Sequence, residues 1–254
     1  MHMNNNTILI TGGTSGIGYE LARQLCESNT VIITGRNQEK LDKAKVDLKH
    51  VHTFKCDVAD PQEVIRLYEA VTQQFPELNI VINNAGIMKK IDVQHEIDLL
   101  TLTQEINTNF SGVVRMCHQF IPHLKQQKTA AIINVSSALA FAPIVSTPVY
   151  CATKAAVHSY TESLRVQLRN THVKIFELAP PAIETPLINE FDVTEQESMK
   201  LMNVVKLAKI AIDGIKQDKE EIRPGQSNIL KIVSRISPNA ALNVLNKAYM
   251  AEHS

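Results

Sequence analysis

The chain has 254 residues, 26 basic against 26 acidic side chains and no formal net charge, with 44% apolar and 20% charged residues. At this length one α/β domain buries roughly 70–75% of its unfolded surface, so no disulfide or metal staple is required, and the apolar content speaks against intrinsic disorder. The charge balance removes a global electrostatic pull on nucleic acid, and no Lys/Arg run exceeds Lys89-Lys90.

The polar start, Met1 to Asn6, lacks the apolar stretch of a signal peptide. No run approaches the roughly 18 apolar residues of a membrane-spanning helix. Cysteines stand at 26, 56, 117 and 151 without a C-x-x-C pair, which reads as four reduced thiols in a cytoplasmic protein. Nine histidines form neither H-x-x-x-H nor H-E-x-x-H, so no metal site is expected.

In chain order, apolar runs at Thr7–Thr11, Thr30–Thr34, Val51–Cys56, Asn79–Ile82, Ala130–Val135 and Val173–Leu178 read as strands. They are nearly continuous in apolar character rather than alternating, as strands of a parallel sheet covered on both faces are. Helical spacing lies between them: Ile17, Leu21 and Leu25, then Leu41, Ala44 and Leu48, the segment Val64–Val71, and a long segment Ile97–Leu124. The alternation predicts a single-domain, doubly wound α/β fold of the Rossmann type over residues 1–254, with about seven parallel strands and helices on both faces. Beyond Ala179-Pro180-Pro181, residues 188–203 read as a polar flap, Val204–Lys216 as a helix, and 227–254 as an amphipathic extension restarting at Ser237-Pro238.

The first strand runs into Thr11-Gly12-Gly13-Thr14-Ser15-Gly16-Ile17-Gly18 and then a helix. Gly12 and Gly16 permit a tight turn close to a pyrophosphate, Gly18 permits close helix–sheet packing, and the helix N-terminus offers free N–H groups to an anion. A structural turn is the plain alternative. The second strand ends in Gly35-Arg36-Asn37 with no carboxylate for a ribose 2′-hydroxyl. Arg36 suits a 2′-phosphate instead, which favours NADP while leaving NAD open.

Tyr150 and Lys154, four residues apart at the start of a helical segment, share a helix face. Ser136-Ser137 follow the strand ending at Val135, and Asn83-Asn84-Ala85-Gly86 follow the strand ending at Ile82, where active sites of open parallel sheets lie. Hydride transfer to a carbonyl requires a proton for the developing alkoxide. A Tyr, with pKa near 10, serves if a neighbouring ammonium stabilises its phenolate, and a Ser hydroxyl can orient the substrate oxygen.

Thr11-Gly12-x3-Gly16-Ile17-Gly18, Asn83-Asn84-Ala85-Gly86, Ser137, Tyr150-x3-Lys154 and Thr185 stand in the order and spacing of one family. The chain resembles a short-chain dehydrogenase/reductase over roughly residues 7–225. Several stretches, Pro180-Pro181 and Ser234-Arg235-Ile236-Ser237-Pro238 among them, resemble its DltE-like branch. The resemblance implies Tyr150 as acid/base, Ser137 as substrate orienter, Lys154 as the residue that lowers the Tyr pKa and holds the nicotinamide ribose, and Asn109 as the residue positioning a relay water. It further implies that Thr14, Ser15, Asn84, Ala85 and Gly86 join the glycine loop around the cofactor. Asp57 and Val58 would meet the adenine, and Pro180, Ile183 and Thr185 the carboxamide and phosphate. Where the family commonly has Pro-Gly after the sixth strand, this chain has Pro180-Pro181.

The leading expectation is thus an NADP-dependent oxidoreductase of a small carbonyl or alcohol substrate. Apolar Leu139, Ala140, Phe141, Ala142 and Ile144 would line one wall. The alternatives are a nucleotide-sensing protein without turnover, or an accessory protein of cell-wall (teichoic acid D-alanylation) modification. A homodimer or homotetramer is what the family resemblance implies.

Overall fold

The computed structural model describes residues 1–247, with the backbone alone at Thr194, Glu197 and Ser198. Strand β1 (Thr7–Thr11) is followed by α1 (Gly16–Leu25), β2 (Thr30–Gly35), α2 (Gln38–Leu48), β3 (Val51–Lys55), α3 (Pro61–Gln74) and β4 (Leu78–Asn83). The second half holds α4 (Leu99–Glu105), α5 (Gly112–Leu124), β5 (Ala130–Val135), α6 (Pro148–Gln167), β6 (Val173–Leu178), α7 (Val193–Ser198), α8 (Val204–Lys216), β7 (Glu221–Ile222), α9 (Gln226–Ile236) and α10 (Pro238–Leu245).

All pairings are parallel and the sheet order is β3-β2-β1-β4-β5-β6-β7. Side chains alternate across the sheet, so Ile8, Ile10, Ile33, Ile133 and Phe176 pack under α1, α2 and α8. Leu9, Ile32, Val81, Ile132 and Ile175 pack under α3, α5 and α6. Each fully buried Leu or Ile contributes roughly 1.5–3 kcal/mol relative to exposure, which is why these apolar runs settle as interior strands. The reversal of strand order between β1 and β4 opens a crevice at their carboxyl ends.

Three features sharpen the sequence expectation. The seventh strand, β7, is only two residues long and carries no periodic signal of its own. It pairs through Ile222 with Leu178, and Gly214 of α8 leaves room for the Ile222 side chain, to which a Cβ would come within 2.7 Å. The long segment Ile97–Leu124 is not one helix, because a π-helical stretch, Ile106–Ser111, separates α4 from α5 and turns Asn109 inward. The flap is built from a 3-10 turn, Pro186–Glu190, and α7, whose start is fixed by a reciprocal Asp192–Glu195 capping box. The amphipathic extension contributes α9 and α10, and residues 248–254 of it lie outside the described residues. Among the described residues no helix is long and apolar enough to cross a membrane.

Candidate active site

The carboxyl ends of β1, β2, β4 and β5 border a cleft of about 510 Å³. The loop after β1 forms its floor. Gly12 and Gly16 adopt φ of 67° and 55°, the left-handed region that favours glycine. A Cβ at Gly18 would stand 2.5 Å from the Gly12 carbonyl oxygen, so α1 can approach the loop only without a side chain there. The Asn84 amide donates to the carbonyls of Thr11 (2.9 Å) and Gly12 (3.1 Å). The Thr11 hydroxyl in turn accepts from the backbone N–H groups of Asn84 and Ala85.

Helix α1 begins without a side-chain cap and without an acid in its first turn. By contrast α2, α3 and α8 are capped by Asn37, Asp60 and Asn203. The free N–H groups and positive dipole end of α1 therefore face the cleft beside Thr14, Ser15 and Ile17, an arrangement that can hold an anion. Farther along, Arg36 and Lys40 line the cleft and are exposed. Asp57 and Val58 close that end. The Asp57 carboxylate accepts from the Ala59 N–H at 2.9 Å, so it forms a turn and borders the cleft at once.

At the other end the strand ends bring together the residues singled out by their spacing. Tyr150 (7% exposed) and Lys154 (4% exposed) sit on one face of α6, with the ammonium 5.6 Å from the Tyr150 ring centre. Lys154 Nζ donates to the Val135 carbonyl at 2.9 Å. The Ser137 hydroxyl accepts from the Leu139 N–H and lies close enough to Tyr150 to draw its pKa downward. Asn109 is fully buried. Its amide donates to the carbonyl of Ile87 and to Thr153 Oγ1, and its oxygen accepts from the Ile87 N–H. It thereby pins the loop after β4 to α6. A Cβ on Gly86 would lie 3.4 Å from Asn109 Oδ1 and 3.6 Å from Lys154 Nζ, so loop, amide and ammonium share one small volume.

Burial pushes the Tyr150 hydroxyl above its ordinary range, with Ser137 pulling the other way. Burial also lowers Lys154 to about 8. Desolvation is the largest influence on both groups. Cys151, beside Tyr150, is buried with its thiol pushed up by desolvation, and Cys56 is pushed up to about 12 for the same reason, which marks both as unreactive.

Thr185 and Pro180 line the cleft, and Thr185 packs against Gly16. The side chain of Ile183 instead turns into the core under α8. Of the expected apolar wall, Leu139 and Ile144 join a cluster with Met88, Tyr150 and the flap residues Leu187, Ile188, Phe191 and Met199. Phe141 does not; its ring stands edge-on to His158, 5.1 Å away, with Lys231 on its other side. Leu187 and Glu190 line the cleft from the segment expected to meet the substrate, whereas Met88 and Thr108 also line it and were missed, because nothing in their local sequence distinguishes them from ordinary packing or loop residues. The flap is tethered by Lys90, whose ammonium lies 2.8 Å from Glu195 and 5.9 Å from the centre of the Phe191 ring. Among the described residues no group of three His, Cys, Asp or Glu could hold a metal.

The short chain dehydrogenase family pattern matches residues 6–196. The chain belongs to the short-chain dehydrogenase family. It is similar to an uncharacterized oxidoreductase, DltE, of Bacillus subtilis (strain 168), with 44% identity over 224 residues, covering 87% of this chain and 89% of the relative. Its fold matches a short-chain dehydrogenase/reductase from Burkholderia phymatum in complex with NAD, with TM-score 0.85, 20% identity and coverage of 96% and 97%. It also matches a short-chain dehydrogenase from Burkholderia cenocepacia J2315 in complex with NADP, with TM-score 0.83, 22% identity and coverage of 96% and 99%. The protein is thus a short-chain dehydrogenase/reductase enzyme with a Rossmann-type parallel sheet.

Proposed function

We propose that this enzyme is an NADP-dependent carbonyl reductase or alcohol dehydrogenase in which Tyr150 handles the proton. The observation that carries the reading is the meeting of Ser137, Tyr150 and Lys154 at the strand ends, beside an uncapped helix N-terminus. The residues present fit a phosphorylated dinucleotide. The backbone N–H groups of α1 would hold a pyrophosphate beside Gly12, where a Cβ would come within 2.9 Å of the Ala85 Cα. Arg36 and Lys40 supply positive charge for a 2′-phosphate at the far end. Asp57 and Val58 would flank the adenine, with Asn84, Ala85, Gly86, Pro180 and Thr185 lining the remaining walls of the cleft.

When bound, the nicotinamide group donates or accepts a hydride. The Ser137 hydroxyl holds the substrate oxygen and orients the carbonyl carbon. Tyr150 releases its hydroxyl proton to that oxygen during reduction and recovers a proton during oxidation. The Lys154 ammonium stabilises the phenolate left behind. Asn109 keeps the loop after β4 and α6 in register around these groups.

The apolar cluster of Met88, Leu139, Ile144, Leu187, Ile188 and Phe191 supports a small, neutral, moderately hydrophobic substrate. Glu190 is the acidic group at that end of the cleft, an unfavourable neighbour for an anionic substrate. Exposed Leu99 and Leu100 on α4 support a homo-oligomer. The test is NADPH oxidation over a panel of carbonyl compounds for wild type and Tyr150→Phe. Turnover of neutral ketones or aldehydes by wild type, lost in the variant, is expected. A variant with full activity on any accepted substrate would overturn the mechanism.

A further inference from the structure

Behind the cleft lies a buried polar chain that the proposed mechanism does not use. Residues 132 and 134 of β5, and 175 and 177 of β6, share the sheet face that meets α6. Most of that interface is apolar, with Ile132, Ile175, Val157 and Leu164 in contact. Into it projects Glu177, 1% exposed. One of its carboxylate oxygens accepts from the Ser136 hydroxyl, and the other accepts from His158 Nδ1 at 2.7 Å. A buried carboxylate is costly unless it is held by donors, and here both oxygens are held.

The two donors stand at informative places. Ser136 lies between Val135, whose carbonyl receives Lys154 Nζ, and Ser137, whose hydroxyl meets Tyr150. Its backbone N–H is also tied to the Leu178 carbonyl at 2.8 Å. His158 lies on α6 at four-residue steps from Lys154 and Tyr150, so the three project from one stripe of the helix. A third bond, Asn134 Nδ2 to Thr161 Oγ1 at 2.9 Å, continues the stripe one turn on.

We infer that Glu177 is a positioning residue: by holding Ser136 on one side and His158 on the other, it fixes the strand end that carries Ser137 against the helix that carries Tyr150 and Lys154. The chain continues outward, since the His158 ring stands against the Phe141 ring, and Lys231 of α9 lies 5.3 Å from the centre of the Phe141 ring while pairing with Glu221 of β7. Helix α9 thereby braces the outer end of the same assembly.

The inference rests on the reading that Tyr150, Ser137 and Lys154 carry the chemistry. A displacement of about 1 Å in such a group can cost on the order of 100-fold in rate. His158→Ala, which leaves the cleft lining untouched, is expected to lower kcat about 10-fold or more, with the substrate KM and cofactor Kd within about threefold of wild type. Glu177→Gln is expected to restore most of the activity lost in Glu177→Ala, because an amide can accept from His158 and donate to Ser136. Ser136→Ala combined with His158→Ala should be no slower than the slower single variant, because both act through one carboxylate.

Assays are run below the melting temperature of every variant, with Tyr150→Phe alongside. If Tyr150→Phe keeps full activity, the catalytic reading falls. If Tyr150→Phe is inactive while folded His158→Ala and Glu177→Ala both keep wild-type kcat, the positioning role alone is overturned. Independent, multiplicative losses in the double variant would overturn it as well.

Discussion

The Lys154 ammonium lies 5.6 Å from the centre of the Tyr150 ring, yet it donates its hydrogen bond to the Val135 carbonyl at 2.9 Å. Its influence on the phenol therefore depends on its charge, and burial lowers the pKa that governs that charge to about 8. As pH rises through that value the ammonium is lost, and with it the stabilisation of the phenolate. The expected outcome is a reductive kcat that declines above about pH 8 in wild type. In Lys154→Arg that limb should be absent, because a guanidinium stays charged, although the altered shape lowers the plateau. A kcat–pH profile from about pH 6 to 10 checks this, and an unchanged limb in the arginine variant would refute it.

Arg36 borders the cleft next to Lys40, with no acid among the cleft-lining residues at that strand end apart from Asp57. Wild type is expected to bind NADP more tightly than NAD. Arg36→Ala should narrow that ratio by about 10-fold or more, since a charge-assisted contact to phosphate contributes roughly 1.5–3 kcal/mol. Isothermal titration with both cofactors reads the ratio directly, and a wild-type preference for NAD would defeat the assignment.

A Cβ on Gly18 would meet backbone as well as a side chain, standing 2.5 Å from the Gly12 carbonyl oxygen and 2.4 Å from Asn84 Nδ2. Gly18→Ala should displace the loop that faces the anion. The expected cost is about 1–3 kcal/mol of stability together with weakened cofactor binding. Urea unfolding and fluorescence titration of NADPH measure the two effects. An alanine variant equal to wild type in both would show that α1 can retreat at no cost.

Glu105 is fully buried, with one carboxyl oxygen accepting from the Lys89 N–H and the other without a partner. Burial raises its pKa from 4.5 to about 7. Between those values the folded chain holds a proton that the unfolded chain releases, so stability falls as pH rises from about 4.5 to 7 and then levels. Glu105→Gln removes that decline and keeps an acceptor for Lys89. It should raise stability at neutral pH by on the order of 1–3 kcal/mol while changing little at pH 4.5. Denaturant midpoints at the two pH values decide it, and an equal slope in variant and wild type would count against the buried acid.

Phe191 is packed with Met88 and Tyr150, and Lys90 tethers its segment through Glu195. Phe191→Ala should raise the substrate KM several-fold, on the order of 1–2 kcal/mol of lost apolar contact, with cofactor affinity unchanged. Steady-state kinetics at saturating cofactor separate the two. A KM equal to wild type would place the substrate away from the flap.

Much of the fold was legible because local signals agreed. β1, β5 and β6 begin and end where the apolar runs do, and Pro238 opens a helix where proline is tolerated. The π-helical stretch around Asn109 was not legible, since its residues fit a continuous helical pattern and only the contact with Ile87 and Thr153 turns the amide inward. β7 escaped for a similar reason. Two residues carry no period, and Ile222 becomes a strand residue through pairing with β6.

The sequence alone determined the parallel α/β plan, the glycine loop before α1, and the spacing that sets Tyr150 and Lys154 on one helix face, because each follows from residues close together in the chain. Tertiary structure alone decided the direction in which Tyr150 and Lys154 titrate and the protonation of Glu105, because desolvation depends on everything packed around a group. It also decided the bridge from Ser136 through Glu177 to His158. Those residues lie on β5, β6 and α6, and only the packing of that helix across both strand ends brings their side chains within hydrogen-bonding reach.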